Sequence, residues 1–328
     1  MAGSFSYTLN SLFAAQLDAR SAEIADAFFK GNPLFEWVNT VRQSQLGSER
    51  FWLPVEFTDN STVTMIGKGG TVDLSDSDPI TTARYNKLTM AGNVTSFRQE
   101  AAENKGKGQV FRLIDAKIDN LIATMKAEFE TQLTANSLVS GNLNPLSTLV
   151  ESTAEASQTT TVGGIDRTTN TWWRNSSKDM TDRATATFIV DDFQDAWAEV
   201  FKEGQGNPDV IILDLQTFLD YENYSLDQKQ FVNTMIGDFS FTTLMYKGIP
   251  LIPITHTNFT TVPNRRAYFL SSPTIKLAYD PSLWFEWTDW KEPDNQPMDK
   301  VKQVVAMSNL CTSNPRRNHV LFDIGTTS

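Results

Sequence analysis

The segment GGIDRTTNTWWRN, residues 163–175, stands out in a region that is otherwise rich in serine, threonine, asparagine and glycine. It combines two consecutive glycines, an Asp-Arg pair and the pair Trp172–Trp173. Aromatic rings beside Arg174 could stack on nucleic-acid bases or on sugars. No basic cluster accompanies these rings, so packing in the core or in a protein interface is the favoured interpretation.

The composition of the chain argues against several classes of function. A chain of 328 residues, 40% of them hydrophobic, can bury a large core. Its formal net charge of −11 argues against general nucleic-acid binding, which requires clustered lysine and arginine. An acidic wall would repel DNA, which suits a container that must not adhere to its contents. The first residues do not read as a signal peptide, and no apolar run reaches the roughly 18 residues of a membrane helix.

The sequence contains no recognisable catalytic or metal-binding motif. Its single cysteine, Cys311, and its two histidines, His256 and His319, are too scattered for a zinc site. The GKGG sequence at 67–70 lacks the spacing and the following helix of a phosphate-binding loop. Either histidine could act as a general base, but a surface or strand-edge position is the favoured interpretation. We therefore expect no cofactor, no metal and no enzymatic activity.

Residues 109–136 form the clearest predicted element, a helix of about 40 Å. Apolar residues recur at steps of three and four and define one face, with charged residues between them. This face consists of Val110, Ile114, Ile118, Leu121, Met125, Phe129 and Leu133. Such a helix suits a structural spine, and a coiled coil would require more heptads.

Residues 50–98 predict an extended β-hairpin or two linked hairpins. Short β-rich runs alternate with turn signals, and the predicted tip is formed by Lys68, Gly69 and Gly70, where glycine tolerates positive φ. We expect few of these side chains to anchor the core. Because a lone hairpin is marginal in water, it should lie on another surface.

Two further regions have readable patterns. Residues 7–30 predict an amphipathic arm ending in a short helix, which the following Gly-Asn-Pro sequence would stop. Residues 186–270 predict a compact α/β unit. It begins with a helix capped by Asp191 or Asp192 and closed by Gly204, and continues with the strand PDVIILD, the helix LQTFLDYENYSLD and further strands.

The segment 163–175 resembles one found in the major capsid proteins of tailed bacteriophages, which have the Hong Kong 97 fold. The residues that carry the resemblance are Gly163, Gly164, Ile165, Asp166, Arg167, Trp172, Trp173 and Asn175. The preceding Asn-Pro-Leu at 144–146 and the later run MYKGIPLIPI are also similar to that family. The order of predicted elements matches along nearly the whole chain. The resemblance therefore implies an α+β, Hong Kong 97-type capsid fold.

That fold implies a division of the chain into domains. Residues 1–49 would be an N-terminal arm, 50–98 the extended β-hairpin loop, 99–185 a peripheral domain with the spine helix 109–136, 186–270 an axial α/β domain, 271–310 the returning strands of the peripheral domain, and 311–328 a C-terminal segment that could belong to the axial domain. In the family, the axial domain packs around a five- or six-fold axis and the loop extends over the adjacent subunit.

The resemblance also implies a function. The chain would assemble with itself through pentamers and hexamers into an icosahedral shell that encloses double-stranded DNA without reading its sequence. Scaffold, portal and decoration proteins are further expected partners, with assembly in the host bacterial cytoplasm and a final place in the virion. An encapsulin-like compartment shell and, remotely, a hydrolase stay open as alternatives. The chain lacks the long scaffolding preface of some members, and no cross-linking motif accompanies Lys68, so neither property is carried over.

Overall fold

A computed structural model describes residues 31–75, 78–97, 113–181, 189–204, 206–227, 244–260, 265–293 and 299–325. The predicted arm helix within 7–30 and the residue Val110 lie outside these ranges. The chain divides into two compact units. Unit 1 comprises Met1–Asn32, Thr89–Glu128 and Leu283–Ala306, and unit 2 comprises Pro33–Leu88, Phe129–Ser282 and Met307–Ser328.

The helices and strands of the described residues are numbered along the chain. The helices are α1 (Pro33–Thr40), α2 (Leu113–Leu133), α3 (Leu146–Leu149), α4 (Ile189–Gly204), α5 (Leu215–Asp227) and α6 (Thr257–Thr260). The strands are β1 (Arg42–Ser44), β2 (Arg50–Glu56), β3 (Ile80–Asn86), β4 (Leu88–Phe97), β5 (Thr161–Val162), β6 (Ile165–Asp166), β7 (Ser176–Asp179), β8 (Val210–Asp214), β9 (Met245–Tyr246), β10 (Ile249–Ile254), β11 (Ala267–Leu270), β12 (Ile275–Trp287), β13 (Asp299–Thr312) and β14 (His319–Phe322). None of these helices has both the length and the apolar character needed to cross a membrane.

Unit 2 is built on a six-stranded mixed sheet in the order β7-β14-β11-β8-β10-β9. Strand β8 runs parallel to β10 and antiparallel to β11, and all five of its residues are buried. Such a continuously buried strand is expected at the centre of a sheet that is covered on both faces. Strands β7 and β14, which come from outside residues 186–270, complete one side of the sheet.

Three of the elements predicted in residues 186–270, two helices and one strand, lie among the described residues. Strand β8 and helix α5 coincide with the predicted strand and second helix, and α4 ends at Gly204 as predicted. The predicted N-cap is wrong, because α4 begins at Ile189 and places Asp191 and Asp192 inside its first turn. In that position the two carboxylates still face the positive end of the helix dipole.

Strands β2 and β3 form a hairpin whose base belongs to the core of unit 2. They pair antiparallel from Arg50↔Asn86 to Glu56↔Ile80, and β2 alternates exposed and buried residues along its whole length. One face is therefore buried, and it carries Phe51, Leu53, Val55, Ala83 and Tyr85. The expectation that few of these side chains anchor the core is wrong for this base.

Helix α2 becomes progressively buried from its first to its last turn. Of the predicted apolar face, Ile114 is 38% exposed and Ile118 and Leu121 are half-buried. Met125, Phe129 and Leu133 are buried. Within unit 1, α2 lies close against β4 at Gly92. A Cβ atom at this position would lie only 2.7 Å from the Leu121 side chain.

This gradient predicts different costs for two matched truncations of α2. Phe129→Ala should lower the free energy of unfolding by about 3–5 kcal/mol, because it leaves a cavity around a fully buried ring. Ile114→Ala should cost less than about 1 kcal/mol, because that side chain is already substantially hydrated. Urea denaturation of the unassembled chain measures both. Equal losses would mean that the first turns of α2 are as buried as the last.

Candidate functional site

The segment 163–175 folds around the guanidinium of Arg167, which is fully buried. Its Nε donates to the carbonyl of Trp173 at 3.1 Å, and Nη2 donates to the carbonyl of Leu149 at 2.6 Å. Its Nη1 donates to the carbonyl of Thr148 at 3.4 Å and to the carboxylate of Glu151 at 3.1 Å. Burial lowers the pKa of Arg167, and the bond to Glu151 opposes that shift. The network replaces the hydration that a buried cation loses.

The two glycines of the segment attach it to the hairpin. Gly163 and Gly164 have φ of +62° and +77° and form the turn between β5 and β6, a conformation that favours glycine. The carbonyl of Gly163 accepts the N–H of Arg84 in β3 at 2.8 Å. A Cβ on Gly163 would lie 2.9 Å from that of Ala83 and 3.0 Å from the Tyr85 ring. No other residue could approach β3 so closely.

The remaining residues of the segment are mostly structural. Trp173 is buried and donates its Nε1 to the carbonyl of Val162 at 3.0 Å. Trp172 is half-buried and stacks on Phe57 at the end of the hairpin base, with ring centroids 5.3 Å apart. This contact is the protein packing that the sequence favoured over stacking on a base or a sugar. Asp166 lies at the surface, where hydrogen bonds from Thr168 lower its pKa.

Asn175 is buried in a polar network that sequence reasoning missed. Its backbone N–H donates to Oε1 of Gln158 at 3.1 Å, and Nε2 of Gln158 donates back to the carbonyl of Asn175 at 2.9 Å. Its side chain bonds both backbone groups of Glu151. A glutamine in a Ser/Thr-rich loop gives no local signal for burial, so only the folded structure identifies it. Ile165, at the other side of the β5–β6 turn, is also buried.

The part of the hairpin beyond its base is exposed and apolar. Lys68, Gly69 and Gly70 lie in an exposed turn in which the N–H of Gly70 donates to the carbonyl of Gly67 at 2.9 Å. The apolar side chains exposed between residues 57 and 80 are Phe57, Val63, Met65, Ile66, Val72, Leu74 and Ile80, and we call these residues the hairpin patch. Large apolar side chains that are exposed together mark an interaction surface more often than a free one.

The two histidines lie in different surroundings, one buried and one half-buried. His319 is buried at the start of β14, so its interpretation as a surface or edge residue is wrong. Its Nδ1 lies 2.8 Å from Oγ of Ser176 on the neighbouring strand β7. His256 is half-buried and directly precedes the short helix α6, where a turn was predicted, and its Nδ1 accepts the N–H of Asn258 at 3.3 Å. In the described part of the chain, no group of three or more histidine, cysteine or acidic residues could hold a metal ion.

No family model and no curated protein matches the chain, but solved structures do. The chain is similar to a chain of the cyanophage A-1(L) capsid asymmetric unit, at 13% identity and a TM-score of 0.64, over 93% of this chain and 96% of that one. It is similar to the capsid of the native GTA particle, at 10% identity and a TM-score of 0.58, over 98% and 100%. It is also similar to the holo-SrpI encapsulin complex from Synechococcus elongatus PCC 7942, at 13% identity and a TM-score of 0.56, over 95% and 95%. The implied Hong Kong 97-type α+β capsid fold is thus confirmed.

The Arg167 network predicts a large effect of removing its charge. Arg167→Met should lower the free energy of unfolding by about 3–5 kcal/mol, because it leaves Glu151 and three carbonyls without their donor. Arg174→Met is the matched control, since Arg174 is half-buried and its Nε makes one bond, to the carbonyl of Arg167. It should cost about 1 kcal/mol. Equal losses of unfolding free energy for the two variants, measured by urea denaturation, would contradict the proposed role of Arg167 in stability.

The burial of His319 predicts a specific loss of stability in acid. Burial lowers the pKa of His319 to about 3 from an ordinary value of 6.5. The neutral side chain therefore contributes stability that is complete above pH 6.5 and is lost as the pH falls from there towards 3. At pH 5 the loss should reach about 2 kcal/mol.

Urea denaturation at pH 7.5, 6 and 5 measures this loss. His319→Gln, which keeps a neutral polar group beside Ser176, should remove this part of the acid sensitivity. His256→Gln should remove a smaller part of the acid sensitivity. Burial also lowers the pKa of His256, but this side chain is only half-buried. An unchanged acid profile for His319→Gln would contradict the assignment.

Proposed function

We propose that this chain is the major capsid protein of a tailed bacteriophage. It assembles with itself through pentamers and hexamers into an icosahedral shell that encloses double-stranded DNA. The observation that carries the proposal is the match of 93% and 98% of the chain to capsid subunits of a cyanophage and of a GTA particle. The similarity extends over nearly the whole of both chains, so little remains for a separate catalytic domain.

The hairpin supports this function by its division into an anchored base and an exposed patch. The base is held in unit 2 by three contacts. Strand β2 pairs with β3, and the carbonyl of Gly163 accepts a hydrogen bond from β3. The Tyr85 hydroxyl donates to the carbonyl of Thr312 at 2.8 Å. Apart from Phe57, which stacks on Trp172, the side chains of the hairpin patch are exposed. In a shell, this patch lies on the adjacent subunit, as the resemblance to the family implies. Identical chains joined by such head-to-tail contacts close into rings.

The proposal includes partners and a location. The net charge of −11 favours a shell that encloses DNA without binding it specifically. Scaffold, portal and decoration proteins are the expected partners, the host bacterial cytoplasm is the expected place of assembly, and the virion is the final location. The subunit performs no catalysis in this function.

An encapsulin-like compartment is the second candidate, and the similarity to the SrpI encapsulin complex favours it. Both functions require a shell, so assembly alone does not separate them. Co-expression with neighbouring genes does. A shell that packages DNA together with terminase and portal proteins supports the capsid, and a shell that captures an enzyme through a short peptide supports the compartment.

Electron microscopy of the purified chain tests the shared requirement for a shell. We expect closed shells or rings of five and six subunits, with a scaffold protein added if the chain alone does not assemble. A chain that stays monomeric in analytical ultracentrifugation under every assembly condition, with and without scaffold, would overturn the proposal.

A deletion in the hairpin tests the proposed contact. Replacing residues 58–78 with a short Gly-Ser link should leave a folded subunit that assembles poorly. The link joins Phe57 to Pro79, which are already paired by a hydrogen bond of 3.0 Å, and a short flexible closure costs little entropy. The thermal melt should keep its cooperativity, while sedimentation should show the loss of shells.

A longer deletion, of residues 60–90, is the matched control. This deletion also removes β3, with the buried residues Ala83 and Tyr85. It should abolish the cooperative melt. Normal shells from the 58–78 variant would show that the hairpin patch is not an assembly contact.

A further inference from the structure

Among the described residues, strands β2 and β3 form a sheet of their own, so each strand has one edge without a neighbouring strand. A free edge presents N–H and C=O groups that can pair with another chain. In an antiparallel pair, these outward groups belong to alternate residues. On β2 they belong to Arg50, Trp52 and Pro54, because the odd-numbered residues bond β3, as the N–H of Phe57 does at the carbonyl of Pro79.

The side chain of Gln45 occupies the free edge of β2 in the place of a neighbouring strand. Its Oε1 accepts the N–H of Trp52 at 2.9 Å, and its Nε2 donates to the carbonyl of Trp52, also at 2.9 Å. One side-chain amide thus makes the two bonds that a backbone residue opposite Trp52 would make. The backbone N–H of Gln45 donates to the carbonyl of Tyr279 on β12 at 2.9 Å, which fixes the residue just after β1.

The neighbouring outward positions are closed by other contacts. The hydroxyl of Ser48 donates to the carbonyl of Arg50, and Pro54 has no N–H that another strand could use. On the other side of the sheet, the β5–β6 turn accepts the N–H of Arg84 in β3 at 2.8 Å. The chain therefore satisfies the outward groups at the centre of both edges by itself.

The position of these bonds at the surface indicates what they contribute. Both bonds of Gln45 are exposed, so water can replace them at little cost in stability. Water does not, however, prevent another strand from pairing at Trp52. The middle of β2, from Phe51 to Val55, carries no charge, and Trp52 is 43% exposed. An uncharged edge with an exposed aromatic side chain favours pairing with another chain unless its backbone groups are occupied.

We propose that Gln45 prevents the edge of β2 from pairing with the same edge of a second copy of this chain. Two β2 edges that meet in antiparallel orientation would bond through the N–H and C=O groups of Trp52. Gln45 occupies both of these groups within the single chain, so the contact is autoinhibitory. The inference concerns the unassembled chain and does not depend on the proposed function.

Gln45→Ala in the full chain frees both backbone groups of Trp52. Under conditions in which the wild type stays unassembled, the variant should self-associate at a concentration about tenfold lower, as measured by sedimentation velocity. Electron microscopy should show irregular particles and not closed shells. Hydrogen exchange at the Trp52 amide should be fast in the monomeric variant and slow in the associated material, because the amide regains a partner there.

Gln45→Lys separates the blocking of the edge from a contact that only closes the loop before β2. Lysine does not make both bonds, but a charge at a strand edge opposes pairing. This variant should stay as monomeric as the wild type, although its Trp52 amide exchanges as fast as in Gln45→Ala. Gln43→Ala is the matched control, since Gln43 is an exposed glutamine on β1, and it should behave as the wild type.

Three results would overturn the proposal. Gln45→Ala could self-associate no more than the wild type, or Gln45→Lys could associate as strongly as Gln45→Ala. The Trp52 amide could also stay unprotected in the associated material, which would place the new contact away from the edge of β2. If Gln45→Ala does not fold, Gln45→Met takes its place in each comparison, because methionine keeps the length of the side chain without the amide.

Discussion

The buried guanidinium of Arg167 is the constraint on which the conformation of unit 2 depends. A cation without solvent is costly unless acceptors surround it, so the carbonyls of Thr148, Leu149 and Trp173 must converge on it together with Glu151. The short helix α3 and the segment that contains Trp173 are thereby held in a single arrangement. Strand β7 begins directly after the second of these loops, so the same arrangement places one edge of the six-stranded sheet.

The base of the hairpin is held by the same segment that contains Arg167. Gly163 stands four residues before Arg167, and its contact with β3 leaves no space for any side chain. The base is thus fixed within the single chain, while the hairpin patch is exposed. A contact surface that is already ordered loses less conformational entropy on association. The ordered base therefore gives a physical reason for large apolar side chains to be exposed in the hairpin patch.

The sequence predicts the elements of the α/β unit better than its buried polar contacts. Strand β8 and helix α5 are readable because apolar runs and Gly/Pro signals mark their limits. The Asp191–Asp192 cap fails because α4 already begins at the apolar residue Ile189, two residues before Asp191. Gln158 and Glu130 could not be found, since their partners lie 17 and 95 or more residues away and leave no local pattern.

Arg167 and Glu130 show two outcomes of burying a charge. Arg167 has a counter-charge and three carbonyls, so it remains ionised and acts as a fixed anchor. Glu130 accepts two backbone N–H groups and has a carboxylate, Glu36, nearby, and burial raises its pKa to about 7. The network of Arg167 supports the turn that contacts the hairpin base, and Glu130 joins α1 to the last turn of α2.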